Sequence, residues 1–263
     1  MFSSTDHDAS RSLREALDGA AGYSTELHLR PEETARLKAL IERQWLEVIR
    51  SAAPESVETF AAGGIERYHE HSHLVDHASL WPKRCRILPA EAVAEIRGMS
   101  LCDGLEDHFG EFVISNEDEV EAEELYWRIV RPRQSGDIGP LHADAWFWEL
   151  GHGATPADMT RVKVWIAVVT ESGRSGLRIV PGSHLREWRY HGEMRHGFVK
   201  PQIDEDENEL NPQLVPMSPG DAIVFHDRLL HGGAMNEGEL TRVSLEFTMF
   251  VKSWRGAGGE QHR

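Results

Sequence analysis

The chain has 263 residues, 40% apolar and 27% charged, the proportions of an ordinary globular protein and unlike disordered, collagenous or disulfide-scaffold chains. Its 44 acidic residues against 28 basic ones give a formal charge of −16, which opposes binding to nucleic-acid phosphates or anionic membrane surfaces. Cys85 and Cys102 are the only cysteines, too few for a disulfide framework or a cysteine-based zinc site, and they fit a reducing compartment.

The amino-terminal MFSSTDHDASRSLREAL has neither the basic start and apolar run of a signal peptide nor a stretch long enough to span a bilayer. A cytoplasmic protein with a small-molecule substrate is expected, with no nucleic-acid partner and no membrane insertion; the oligomeric state is not legible. Pro31-Glu32-Glu33 opens a helix with Leu37, Leu40, Ile41, Trp45 and Val48 at helical spacing, ending near Ser51. A second helical stretch is expected between Val57 and Ala78, and a third from Ala90 to Met99 behind Pro89, with Val93 and Ile96 on one face. The acidic runs Glu117 to Glu124 and Asp204 to Glu209 read as solvated loops.

From Tyr126 the texture changes to short β-type runs: Tyr126 to Val130, Arg161 to Thr170, Leu177 to Val180, Ala222 to Phe225 and Arg242 to Val251. Sharp reversals at Pro181-Gly182-Ser183, Pro219-Gly220-Asp221 and His231-Gly232-Gly233 suit a sandwich of short strands with jelly-roll connections. The expected fold class is therefore mainly β with a helical amino-terminal half.

The chemistry gathers in this β region. In Gly139-Pro140-Leu141-His142-Ala143-Asp144, the His and Asp are two apart, so on an extended chain both side chains leave one face as a two-point chelate. Two His and one carboxylate on one face of an octahedron leave positions open for substrate chemistry. His231 is the candidate third ligand: it follows an apolar strand and is followed by glycines that permit close approach. Arg242 and Ser244 alternate on the return strand, presenting guanidinium and hydroxyl on one face as a receptor for a carboxylate.

With these motifs the chain resembles the phytanoyl-CoA dioxygenase-like branch of the iron(II)/2-oxoglutarate oxygenases, over roughly Tyr126 to Val251. The ordered matches are His142-Ala143-Asp144, Val164-Trp165-Ile166-Ala167, Pro181-Gly182-Ser183-His184, Gly220-Asp221, His231 and, eleven residues later, Arg242. The resemblance implies a double-stranded β-helix. It also implies Fe(II) on His142, Asp144 and His231, with the distal carboxylate of 2-oxoglutarate on Arg242 and Ser244 and Trp165 along the cosubstrate pocket. The implied reaction consumes O2 and 2-oxoglutarate, releases succinate and CO2, and hydroxylates a C–H bond of a small polar metabolite or natural-product intermediate. Related halogenases replace the acid with a small residue, so Asp144 favours hydroxylation.

The organisation expected is one oxygenase domain over 1–263: helical support and substrate loops over 1–125, the double-stranded β-helix over 126–252, and a flexible tail over 253–263. Trp146, Trp148, Arg131 and His184 are candidate substrate residues. Trp146 and Trp148, read as alternating on a strand, share a face that lines the site mouth or seals the sandwich. Two other readings compete. His69-Glu70-His71-Ser72-His73 matches the His-Glu-x-x-His pattern of zinc hydrolases, and His69, His73 and His77 share a face if the segment stays helical. A cupin-like binding protein without turnover is the third possibility.

Overall fold

The computed structural model describes residues 13–116, 123–195 and 197–254. Most of the acidic run beginning at Glu117, and most of the expected carboxyl-terminal tail, lie outside the described residues. Helix and antiparallel sheet are mixed, the helices concentrated in the amino-terminal half and nearly all strands following Tyr126.

Helix α1 (Pro31–Ala52) begins where proline and two acids place it and buries Leu37, Leu40, Ile41, Trp45 and Ile49. Val48, expected on that face, is only partly buried. Glu33 fixes the helix start: its carboxylate accepts from the Arg30 backbone N–H at 3.0 Å and from the Ser100 backbone N–H at 2.9 Å. The helix expected between Val57 and Ala78 is broken into short turns, Val57–Gly63, Ile65–Arg67, Tyr68–His71, Ser72–Leu74 and His77–Leu80. Gly64, at φ 73, carries the first break, since a left-handed residue cannot continue the helix. Helix α2 (Ala90–Arg97) buries Val93 and Ile96 as expected, and α3 (Ser100–Phe109), with no counterpart in the sequence reading, buries Leu101, Cys102, Leu105 and Phe109.

The larger sheet contains β1 (Tyr23–Ser24), β2 (Phe112–Ile114), β3 (Tyr126–Val130), β4 (Met159–Val169), β9 (Ala222–His226) and β11 (Arg242–Lys252), in the order β1-β9-β4-β11-β2, with β3 also paired to β11. A smaller sheet runs β10 (His231–Gly233), β5 (Leu177–Ile179), β8 (Gln213–Leu214), and His142 extends it through an antiparallel bridge to His231. A separate hairpin pairs β6 (Tyr190–Arg195) with β7 (Phe198–Ile203). The chain thus passes repeatedly from one sheet to the other. Among the described residues, no helix is long and apolar enough to cross a membrane.

Strand alternation sorts the two faces of the larger sheet. Val162, Val164, Ile166, Val243, Leu245, Phe247 and Met249 pack with α1, α2 and α3 in one core. Trp165, Ala167, Ile223 and Phe225 turn the other way and pack against Leu177 and Ile179 of the smaller sheet. The second face also carries charge. Register sets Ser244 beside Arg128 and Ala167, Glu246 beside Tyr126 and Trp165, and Thr248 beside Lys163. These polar side chains share the sheet face turned toward the smaller sheet, and the region between the two sheets is called the chamber.

Candidate metal centre and carboxylate clamp

His142, Asp144 and His231 converge at the end of this chamber. One ligand atom from each lies within 4.8 Å of the other two, and among the described residues this is the group so arranged. His142 Nε2 is 3.6 Å and His231 Nε2 is 3.7 Å from Asp144 Oδ1, too far for a hydrogen bond, so the donors face one point without satisfying one another.

The opposite edges of the rings fix their orientation. His142 Nδ1 donates to the Pro140 carbonyl at 3.0 Å and His231 Nδ1 to the Leu229 carbonyl at 2.9 Å, which places the lone pair of each ring on Nε2, toward Asp144. Phe147 sets its ring edge-on to His142, and Phe225 packs at 4.6 Å from His231. Burial pushes His231 down to about 4 against the pull of Asp144, so it is neutral and able to ligate at neutral pH. Burial also opposes the Asp144 carboxylate, but Lys163 first, then His231 and His142, outweigh it and hold Asp144 well below the usual carboxylate range.

The residues fit a divalent metal on three counts. The donor set is two imidazoles and one carboxylate, the nitrogens are aimed inward by their backbone bonds, and Asp144 Oδ1 faces both Nε2 atoms without hydrogen-bonding either.

Arg242 and Ser244 lie on the chamber face of β11. The Arg242 guanidinium is buried; it donates from Nη1 to the Gly176 carbonyl, while Nε has no hydrogen-bond partner among the described residues. Ser244 Oγ is buried and equally unsatisfied. Arg242 sits 5.8 Å from the Trp165 ring centroid, and burial, with Arg128 second, pushes its pKa down to about 10. Gly233 makes room for it: a Cβ there would stand 3.4 Å from Arg242 Nη1. Two adjacent, buried, unsatisfied donors match what a bound carboxylate requires.

A charged chain that the sequence reading missed joins these parts. Arg128 pairs with Glu246, whose Oε2 is 3.7 Å from Lys163 Nζ, and Lys163 lies 3.4 Å from Asp144 Oδ2. Lys163 also donates to Tyr126 Oη at 3.3 Å. Burial raises the cost of the Glu246 charge, yet Arg128 and Lys163 hold its pKa at about 2. The signal was present as isolated charges inside apolar strands, at Arg128, Lys163 and Glu246.

The candidate substrate residues separate. Asp144 has helical dihedrals and caps α4 (Ala145–Glu149), so Trp146 and Trp148 do not alternate along a strand as expected. Trp146 is buried and stacked on Tyr190 of the hairpin, at 4.5 Å and 9°. Trp148 packs edge-on against Phe250 and under the Arg161 guanidinium. Arg131 is taken up by a two-point pairing with Asp137, at 2.9 and 2.8 Å. His184 is buried beside the His226 ring and under Gly22, where a Cβ would collide with it.

The His69 to His73 segment does not form a metalloprotease helix. Helical turns change type after His71; His69 Nδ1 bonds Thr241 Oγ1 at 2.9 Å, Glu70 pairs with Arg67, and His73 is exposed. His77 is bonded to Tyr68 Oη and lies 3.2 Å from Asp137.

The family profile described as phytanoyl-CoA dioxygenase (PhyH) matches residues 19–244. No match to a curated protein was found. Among solved structures, EvdO2 from Micromonospora carbonacea var. aurantiaca aligns with TM-score 0.57 at 17% identity, covering 99% of this chain and 97% of its own. EctD from S. alaskensis, solved with 2-oxoglutarate and 5-hydroxyectoine, aligns at 0.55 and 16% identity, covering 95% of this chain and 79% of its own. The non-heme alpha-ketoglutarate-dependent epimerase SnoN from nogalamycin biosynthesis aligns at 0.51 and 16% identity, covering 98% of this chain and 94% of its own. At such identities these structures establish shared fold alone.

Proposed function

Because the chain belongs to the phytanoyl-CoA dioxygenase family, we propose that it is an iron(II)/2-oxoglutarate-dependent oxygenase that hydroxylates a C–H bond of a small polar metabolite or natural-product intermediate. On this reading His142, Asp144 and His231 hold the iron, Arg242 and Ser244 hold the distal carboxylate of 2-oxoglutarate, and Trp165 walls the cosubstrate. The sheets, with strands passing alternately between β3, the His142 bridge, β4, β5, β8, β9, β10 and β11, are read as a double-stranded β-helix. The observation that carries the proposal is the alignment of unmet polar groups along one chamber: Asp144 Oδ1 and the Nε2 atoms of His142 and His231 at the metal end, Arg242 Nε and Ser244 Oγ at the other.

Bound there, iron and 2-oxoglutarate would couple oxygen reduction and loss of CO2 to substrate oxidation, with succinate as co-product. The chain's own work is positional. The Pro140 and Leu229 carbonyls hold the imidazole tautomers, and Lys163 restrains the outer oxygen of Asp144. Arg242 and Ser244 orient a dicarboxylate along the chamber, and the apolar wall from Trp165 and Phe225 excludes water from the metal end. Retention of Asp144 favours hydroxyl transfer over halogenation, while the likeness to an epimerase makes product analysis essential.

Anaerobically purified protein, supplied with Fe(II), ascorbate and 2-oxoglutarate, should release succinate, and candidate substrates should accelerate that release and gain one oxygen atom. Absence of succinate with intact fold and bound iron would remove the oxygenase assignment.

A further inference from the structure

Each ligand histidine is oriented through a peptide unit of its own strand. His142 Nδ1 donates to the Pro140 carbonyl and His231 Nδ1 to the Leu229 carbonyl, two residues back in both cases. The N–H on the far side of each of those peptides belongs to the next residue, Leu141 or Leu230. Side chains from elsewhere in the fold take both: Leu141 N–H donates to Glu207 Oε1 at 2.8 Å, and Leu230 N–H to Ser183 Oγ at 2.8 Å. A side-chain oxygen therefore holds one end of the peptide while the imidazole holds the other, at both histidines.

The sheet itself leaves the first of these N–H groups over. His142 and His231 exchange both of their backbone hydrogen bonds, at 3.0 and 2.9 Å, so the neighbouring Leu141 N–H turns away from β10. Leu141 is buried, and an unmet N–H there would be costly. Glu207 meets it. That residue lies in the run Asp204 to Glu209, expected from its charge to be a solvated loop, yet its side chain is only 25% exposed. Ile203 before the run and Leu210 after it pack in one cluster with Ala143 and Leu230, which fixes the loop against both ligand segments.

The second oxygen of Glu207 reaches across the smaller sheet. Its Oε2 accepts from Arg178 Nη2 at 2.9 Å, and Arg178 stands on β5 opposite Gly232 of β10. Antiparallel pairing of His142 with His231 sets Gly232 opposite Leu141 in turn. Gly232 opens the path between them: a Cβ there would stand 3.4 Å from the Pro140 carbonyl oxygen and 3.6 Å from Arg178 Nε. One carboxylate thus clasps the segment of His142 to the strand of His231. Ser183 is placed by the turn after β5, where Gly182 has φ 77; its carbonyl accepts from Trp188 Nε1 at 2.7 Å, and its hydroxyl is delivered to the peptide before His231.

Hydrogen bonds in series polarise one another. An acceptor on the peptide N–H enriches the carbonyl, the carbonyl then holds Nδ1–H more firmly, and Nε2 becomes the better donor to a metal. We propose that Glu207 and Ser183 are positioning residues of the metal centre, each fixing the peptide unit whose carbonyl orients one ligand histidine. The support is ionic behind His142, the more exposed of the two rings, and neutral behind the buried His231. The inference rests on the reading of His142, Asp144 and His231 as metal ligands.

The test uses the full chain loaded with Co(II), which moves the Nδ1–H proton resonances of coordinated imidazoles clear of the rest of the spectrum. Wild-type protein should show two such exchangeable resonances. Glu207→Ala should speed solvent exchange at one and Ser183→Ala at the other, and each should weaken Co(II) binding roughly tenfold or more. Glu207→Gln keeps an oxygen acceptor at the same reach, so it should retain both resonances and an affinity between those of wild type and Glu207→Ala. Circular dichroism establishes that each variant is folded, and Ser183→Ala carries the same test should Glu207→Ala not fold. Wild-type affinity with both resonances unchanged in folded Glu207→Ala or Ser183→Ala overturns the inference and leaves the metal reading standing. Weakened binding with neither resonance altered marks general destabilisation and overturns it as well. A folded wild-type chain that binds no Co(II) sinks the metal reading, and the inference with it.

Discussion

Lys163 Nζ lies 3.4 Å from Asp144 Oδ2, while the other oxygen of that carboxylate faces the Nε2 atoms of His142 and His231. One carboxylate thus meets a protein cation on its outer oxygen and the candidate metal position on its inner one. Lys163 is nearly inaccessible and also lies 3.7 Å from Glu246.

Removing that ammonium should strand the buried Asp144 carboxylate and leave Glu246 with Arg128 alone. Lys163→Met is expected to cost roughly 3–5 kcal/mol of stability, the range for breaking a buried ion pair from one side. A divalent metal replaces part of the lost charge at Asp144, so Mn(II) should raise the thermal midpoint of the variant more than that of the wild type. Equal metal-induced shifts would show that Lys163 and the metal position are not coupled through Asp144.

Arg242 and Ser244 should govern cosubstrate affinity and leave metal affinity nearly untouched. Charge-assisted hydrogen bonds contribute about 1.5–3 kcal/mol each, so Ser244→Ala should weaken 2-oxoglutarate binding roughly tenfold and Arg242→Met by more than a hundredfold. Calorimetric titration of metal-loaded protein measures both. An Arg242→Met variant with wild-type 2-oxoglutarate affinity would place the clamp elsewhere.

Acid stability should depend on Glu33, which joins the starts of α1 and α3. Its hydrogen bond with Arg30 and those from Ser100 outweigh burial and lower its pKa from 4.5 to about 2. A carboxylate depressed in the folded state contributes stability that is full above the unfolded pKa and lost as pH falls through the folded one. Denaturant midpoints of the wild type should therefore decline between about pH 5 and pH 2. Glu33→Gln should begin roughly 1–3 kcal/mol less stable at pH 7 and show a flatter decline over that window. Parallel curves for the two proteins would count against the assignment.

Much of the strand framework was legible because each strand keeps one strictly apolar face: Tyr126 to Val130 matches β3 residue for residue, and β4, β5, β9 and β11 differ from expectation only at their ends. The candidate ligands and clamp were legible because their spacing is local or tied to glycine turns. Other features depend on tertiary contacts. The β6–β7 hairpin joins a largely exposed strand to a half-buried one without the alternation that marks a strand in sequence, and Trp146 and Trp148 were misread because the chain turns helical at Asp144. The helix across 57–78 failed at Gly64, whose left-handed backbone matters more than the flanking propensities. The Arg128–Glu246–Lys163 chain joins three strands far apart in sequence, and only their register brings the charges together.

The central claim is that His142, Asp144 and His231 form one iron site that drives 2-oxoglutarate turnover. It is tested most directly by measuring bound Fe(II) and 2-oxoglutarate-dependent succinate release on the same anaerobic preparations of wild-type and Asp144→Ala protein. The account predicts one iron per wild-type chain with succinate release, and in a folded Asp144→Ala variant weakened iron binding with succinate release reduced at least a hundredfold. Equal iron occupancy and equal succinate release in the two proteins would contradict it.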